Sequence, residues 1–181
     1  MARPLQSSPL LRALACWAAF LLLLFLFTVT FVALAGQPDR IGYGLLGTLA
    51  ALTATAIFYR RSDWRSYGLL PGRRTLLHFG AGLLGGIFLL ALIIWIICIV
   101  SGLRLATTNS SWSWSQALGF LGFVPLALME EIPFRGAPFR HLTTRTGLRT
   151  AQFAGAIAFA LYHIANGWGI AQSLLGPFIW A

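Results

Sequence analysis

The chain has 181 residues, 58% of them hydrophobic and only 9% charged, which excludes a soluble globular domain with an ordinary charged surface. All thirteen basic residues are Arg, and against them stand four acids, Asp39, Asp63, Glu130 and Glu131, for a net charge of +9. The arginines fall in short clusters between apolar runs, where a membrane protein puts its cytoplasmic loops, so the expected partner is a lipid bilayer and not a nucleic acid.

Five uncharged runs are long enough to cross a hydrocarbon core of ~30 Å at ~1.5 Å per residue. The first, residues 13–35, follows Arg3 and Arg12 and ends in Ala33-Leu34-Ala35, an imitation of a cleavable signal peptide. Its uncharged core exceeds the ~7–15 residues of a signal h-region, so a retained helix is expected. The second, residues 41–59, contains Gly42, Gly44 and Gly47 in the spacing GxGxxG. A dinucleotide fingerprint would need a strand before it and an amphipathic helix after it, and the simpler reading is small residues that let membrane helices approach. The third run, residues 75–103, carries Gly82 and Gly86 in the same small-residue pattern. The fourth, residues 105–129, opens with a polar segment that includes the glycosylation triplet Asn109-Ser110-Ser111, so its helix is expected from near Trp114 through Glu130. A fifth helix is expected over residues 151–169. Residues 172–181 are apolar but too short to span, and read as a truncated final helix. Cys16 and Cys98 lie inside apolar runs, with no metal or redox spacing between them. The expected fold is an all-α, polytopic membrane helix bundle. It forms one integral-membrane domain over residues 1–181, with about five transmembrane helices and an incomplete sixth.

Arginine counts set the expected orientation. Eleven lie at the N-terminus (Arg3, Arg12), in the second loop (Arg60, Arg61, Arg65, Arg73, Arg74) and in the fourth loop (Arg135, Arg140, Arg145, Arg149), against Arg40 and Arg104 in the others. The positive-inside rule then places the first group in the cytoplasm, with Glu130 and Glu131 near the cytoplasmic end of helix four.

Adjacent acids at the end of an apolar run are costly unless paired or used, since a single acid at a bilayer centre costs ~2.5–3.5 kcal/mol on insertion scales. Arg135 stands four residues after Glu131, the favourable acid-to-base spacing on a helix. Glu130 projects ~100° away from Glu131 and has no such local partner, as a general base requires. Pro133 removes the usual donor for the carbonyl of Met129 and is expected to kink the helix beside the acids. The alternative for both acids is a solvated helix end. His163 is an intramembrane histidine with Phe159 four residues before it and Asn166 three after, a polar site or a structural bond to a neighbouring helix. His78 and His141 look interfacial and are given no role.

Glu130-Glu131-x-x-x-Arg135 followed by Phe159-x-x-x-His163 resembles the CPBP family, the CAAX-protease and bacteriocin-processing intramembrane endopeptidases. EEIPFRGAPFRHL is similar to that family's first motif and AIAFALYH to its second, so residues 116–169 carry the resemblance. It implies a hydrolase of metalloprotease type in a bacterial plasma membrane, N-terminus in the cytoplasm, cutting a peptide or membrane-protein substrate near the cytoplasmic face. Glu130 and His163 would be the catalytic pair that activates water or holds a divalent metal such as zinc, with Glu131, Arg135, Phe159 and Asn166 supporting them. The family's third motif, a further His followed by Asn or Asp, has no counterpart after His163. That departure favours the rival reading, a non-catalytic membrane scaffold or immunity-type protein of the same fold.

The pairing also sets a condition on depth. Glu130 lies five residues before Arg135, ~7.5 Å along a helix, and His163 fourteen after Arg149, ~21 Å. Sharing one water requires the fifth helix to start well below the interface, around residues 150–156.

Overall fold

The computed structural model describes residues 8–59, 64, 72–104 and 113–180. Arg60, Arg61, Arg65 and the Asn109 triplet lie outside them. The described elements are helices: α1 Pro9–Ala35, α2 Arg40–Phe58, α3 Arg73–Ser101, α4 Trp114–Leu121, α5 Phe123–Arg135, α6 Ala137–Thr146, α7 Leu148–Ala165, α8 Ile170–Leu175 and α9 Pro177–Trp180. The all-α membrane bundle read from the sequence is what folds. Among the described residues, α1, α2 and α3 are long and apolar enough to cross a membrane as single helices. The chain divides into two units, Leu70–Ser113 around α3, and the remainder. By itself, α3 begins after Gly72 without a side-chain cap and stops at Gly102, which takes the left-handed conformation at φ 69° that glycine adopts at little cost.

In the larger unit, Ser8 caps α1 by accepting from the Leu11 amide at 3.1 Å, with Pro9 at the first helical position. Asp39 caps α2 through the Gly42 amide at 2.7 Å. Such caps satisfy amides that the first turn leaves without partners. The helix then lies along α5 with almost no side chain between them. A Cβ on Gly44 would stand 2.7 Å from the Leu126 amide nitrogen, and one on Gly47 would stand 2.9 Å from Met129 Cβ. These glycines therefore act as close-packing residues.

Two expected spans differ. The fourth is broken into α4 and α5 at Gly122, because Pro125 brings no N–H to the carbonyl of Leu121. The fifth helix runs Leu148–Ala165, not residues 151–169, and is ended by Asn166-Gly167. Gly167 has φ 87°; its amide bonds to the carbonyl of Ile164, and that of Trp168 to the carbonyl of His163, both at 3.0 Å. That pattern is a Schellman stop. Of residues 172–181, read as a truncated final helix, those described form the end of α8 and the short α9, divided at Gly176.

The largest departure is the fourth loop, which is the helix α6. Gly44 lies against Pro125 and Leu126, Gly47 against Met129, and the Tyr59 ring 5.6 Å from that of His141. The register hardly changes along these contacts, so α5 runs parallel to α2 and the chain continues past Gly136 in the same general direction as far as His141. Gly136 bends the rod without reversing it: a Cβ there would meet the Ile132 carbonyl oxygen at 2.3 Å, and Pro138 helps start the next helix. With this register Glu130 falls beside Thr48, ~12 Å from the Arg40 end of α2 and ~15 Å from the Phe58 end. The acids therefore stand level with the middle of α2, while on their own helix Glu131 is one turn from the last residue, Arg135, near a helix end as expected.

Pro133 lies inside α5, and its own carbonyl, with no amide to receive past the bend, takes the indole N–H of Trp17 on α1 at 2.8 Å. Around it Phe20, Phe134, Phe159 and Tyr162 form an aromatic core, with ring centroids 5.1 Å apart for Phe134–Phe159 and 5.3 Å for Phe134–Tyr162.

Candidate active site

The turn at Gly147, φ 93°, sends α7 back against α6 and α5. From Glu130 to the end of α6 is ~24 Å of helix and from the start of α7 to His163 ~22 Å, so the two side chains arrive at one level. The α6 helix carries the chain away from Glu130 about as far as α7 brings it back. Glu130 Oε1 and His163 Nε2 are 3.9 Å apart, with the histidine side chain 10% exposed and the glutamate 34%.

His163 is held in one ring orientation. Its Nδ1 lies 2.9 Å from the carbonyl oxygen of Phe159. A carbonyl only accepts, so Nδ1 carries the proton in the neutral ring and Nε2 turns a lone pair toward Glu130. The rings of Phe159, Tyr162 and Trp168 pack edge-on to the imidazole, at centroid distances of 4.5, 5.0 and 4.7 Å. Phe159 also lies under the Arg135 guanidinium, 5.8 Å from ring centroid to Cζ, and Arg135 is paired with Glu131 on the protein surface. Four of the five positions of the two sequence motifs therefore touch in series, Glu131 to Arg135 to Phe159 to His163. Asn166 caps α7, donating from Nδ2 to the carbonyl of Tyr162 at 2.8 Å.

The pair faces a cavity of about 360 Å³ lined by Tyr43, Glu130, Tyr162, His163, Asn166 and Trp168. Tyr43, Asn166 and Trp168 stand on the side of the pair toward the Arg40 end of α2, and the cavity extends that way. Behind Glu130, between Arg135, Phe139 and Phe159, a second space of about 10 Å³ is the size of one water. Tyr43, Tyr162 and Trp168 were not singled out in the sequence. The Asn-Gly stop could have placed Trp168 over His163, whereas Tyr43 depends on the register of α2 with α5, for which the sequence carries no local signal.

Residues 110–181 match the family model Rce1-like, type II CAAX prenyl endopeptidase Rce1-like. The two motifs that resemble the CPBP family fall inside this matched segment, and the long apolar helices make the protein integral to the membrane. No curated protein and no solved structure matches the chain. The Rce1-like segment contains Glu130, His163, Asn166 and Trp168, while Tyr43 reaches the same cavity from outside it.

Catalytic zinc usually takes three protein ligands. Glu130 and His163 present two donors, and among the described residues no group of three or more His, Cys, Asp or Glu stands together. This donor set does not fit a resident zinc, so the chemistry proposed below runs through the two side chains themselves.

Proposed function

We propose that this protein is an intramembrane endopeptidase that hydrolyses a peptide bond with a water activated by Glu130. The observation that carries the reading is the 3.9 Å approach of Glu130 Oε1 to His163 Nε2 on the wall of a polar cavity. Two acceptors facing each other suit a water that donates one hydrogen to each. Glu130 takes the water's proton as its oxygen adds to the carbonyl carbon of the scissile bond. The tetrahedral intermediate then collapses, the C–N bond breaks, and Glu130 returns the proton to the departing amine. His163, fixed by the Phe159 carbonyl, accepts from the same water and aims it. The substrate is a peptide or membrane protein whose chain enters the cavity. The arginine excess after Phe58 and along α6 supports a cytoplasmic position for that end, in the manner of a bacterial plasma-membrane protein.

The test is hydrolysis of internally quenched peptides by the protein in detergent or proteoliposomes. Glu130→Gln and His163→Ala are each expected to lower kcat by ~10²–10⁴-fold, the range of a lost general base, with the fold retained by circular dichroism. A wild-type protein that cuts no peptide while binding other membrane proteins would overturn the reading in favour of a non-catalytic scaffold.

A further inference from the structure

The C-terminal turn of α7 has one polar tie to α2, the helix outside the Rce1-like segment. Tyr43 Oη lies 3.1 Å from Asn166 Oδ1. The direction of this bond is fixed by its neighbour. Asn166 must present its NH2 group to the Tyr162 carbonyl, so its oxygen faces Tyr43, and the phenol is the donor. Helix α2 packs mainly along α5 and α1, so Tyr43 reaches across the cavity to make this contact. Asn166 closes the helix on which His163 stands, and the Schellman turn it begins folds Trp168 onto the His163 ring.

We propose that Tyr43 is a positioning residue: by holding Asn166 it fixes the last turn of α7, and with it the distance of the His163 ring from Glu130. The tie acts where the helix stops, because α7 ends two residues after His163 and its backbone leaves through Gly167 at positive φ. Without the phenol hydroxyl the turn, Trp168 and the imidazole are free to shift together away from Glu130. The role rests on the hydrolytic reading for its effect on rate, but not for its effect on the ring.

Two measurements on Tyr43→Phe, Asn166→Ala and the double variant test it. In detergent micelles, the side-chain ¹⁵N and ¹H signals of His163 are assigned against His78 and His141 with His163→Gln. They are expected to shift or broaden in Tyr43→Phe, and equally in the double variant, with helix content unchanged. In peptide hydrolysis, kcat is expected to fall by about 10- to 100-fold, the order expected for a misplaced catalytic group, with KM unchanged and the double variant no worse than the worse single. Unaltered His163 signals in a folded Tyr43→Phe protein would overturn the proposal. So would a raised KM with unchanged kcat, which would make Tyr43 a substrate contact. If the wild type cuts no peptide, the hydrolytic reading fails by itself, and the His163 signals still decide whether Tyr43 positions the ring.

Discussion

A single methyl group measures how closely α2 rides on α5. On Gly44 it would meet backbone atoms of Pro125 and Leu126, which cannot turn aside, and on Gly47 chiefly the Met129 side chain, of which only the far end can move. Gly44→Ala is expected to destabilise by ~1–3 kcal/mol, the usual cost of overpacking, and Gly47→Ala by less. In Gly155→Ala the new Cβ would meet Phe139 at an ordinary 3.7 Å, so that variant is expected to gain ~0.5–1 kcal/mol of helix preference. Thermal unfolding in one detergent ranks the three, and equal losses would refute the close approach. The ion pair makes a second prediction. Arg135 and Glu131 are 41% and 48% exposed on the protein surface, yet they stand level with the middle of α2. A pair in bulk water would couple by at most ~1 kcal/mol. One facing hydrocarbon leaves a lone charge when either partner is removed, at ~2.5–3.5 kcal/mol. Glu131→Gln and Arg135→Gln are each expected to cost more than the double variant, and additive losses would place the pair in water. At this scale the side chains that meet were legible: Glu130, Glu131, Arg135, Phe159 and His163 were all picked out by type and spacing. Tyr43 was not, because a tyrosine four residues into an apolar helix is indistinguishable from a packing or interfacial one until its neighbour is known.

Among the elements, α5 depends most on its neighbours, since it carries two prolines and ends at a bend. Trp17→Phe keeps the aromatic packing but leaves the carbonyl of Pro133 without its indole donor, and is expected to cost ~1–3 kcal/mol for a buried group left unsatisfied. Unfolding of Trp17→Phe in detergent measures it, and a loss well below that range would mean the carbonyl finds water. Apolar run length foretold α1, α2 and α3, because each is one uninterrupted helix. It misjudged the rest for local reasons: Pro125 interrupts a run that looks continuous, and Asn166-Gly167 stops α7 short of its last apolar residues. Gly136 ends α5, but a second helix, α6, starts directly after it in residues that read as a loop. Charge alone could not distinguish that polar helix from a loop.

Within the larger unit, Arg140 and Arg145 on α6 lie toward the opposite end of α2 from the cavity. The α6 helix, with Arg140 and Arg145, extends the α5 rod past the level of Tyr59, whereas Tyr43, Asn166 and Trp168 surround the cavity toward Arg40. If positive charge marks the cytoplasm, a single cysteine at Thr144, exposed on α6, in a chain with Cys16 and Cys98 replaced, is expected to react with an impermeant thiol reagent only after the membrane is opened. Ready reaction in intact cells would invert the molecule.

The register of α2 with α5 decides more than how closely two helices pack. It sets the Glu130 carboxylate ~12 Å in from the Arg40 end, and on the hydrolytic reading a target must bring bare backbone down that distance. A stable helix keeps its carbonyls bonded within itself and offers none. Peptides with Gly or Pro beside the cut point are therefore expected to show higher kcat/KM than helical ones of the same composition, in parallel assays on synthetic pairs. An enzyme so arranged would recognise its clients by how readily they come unwound, with their side chains a secondary matter.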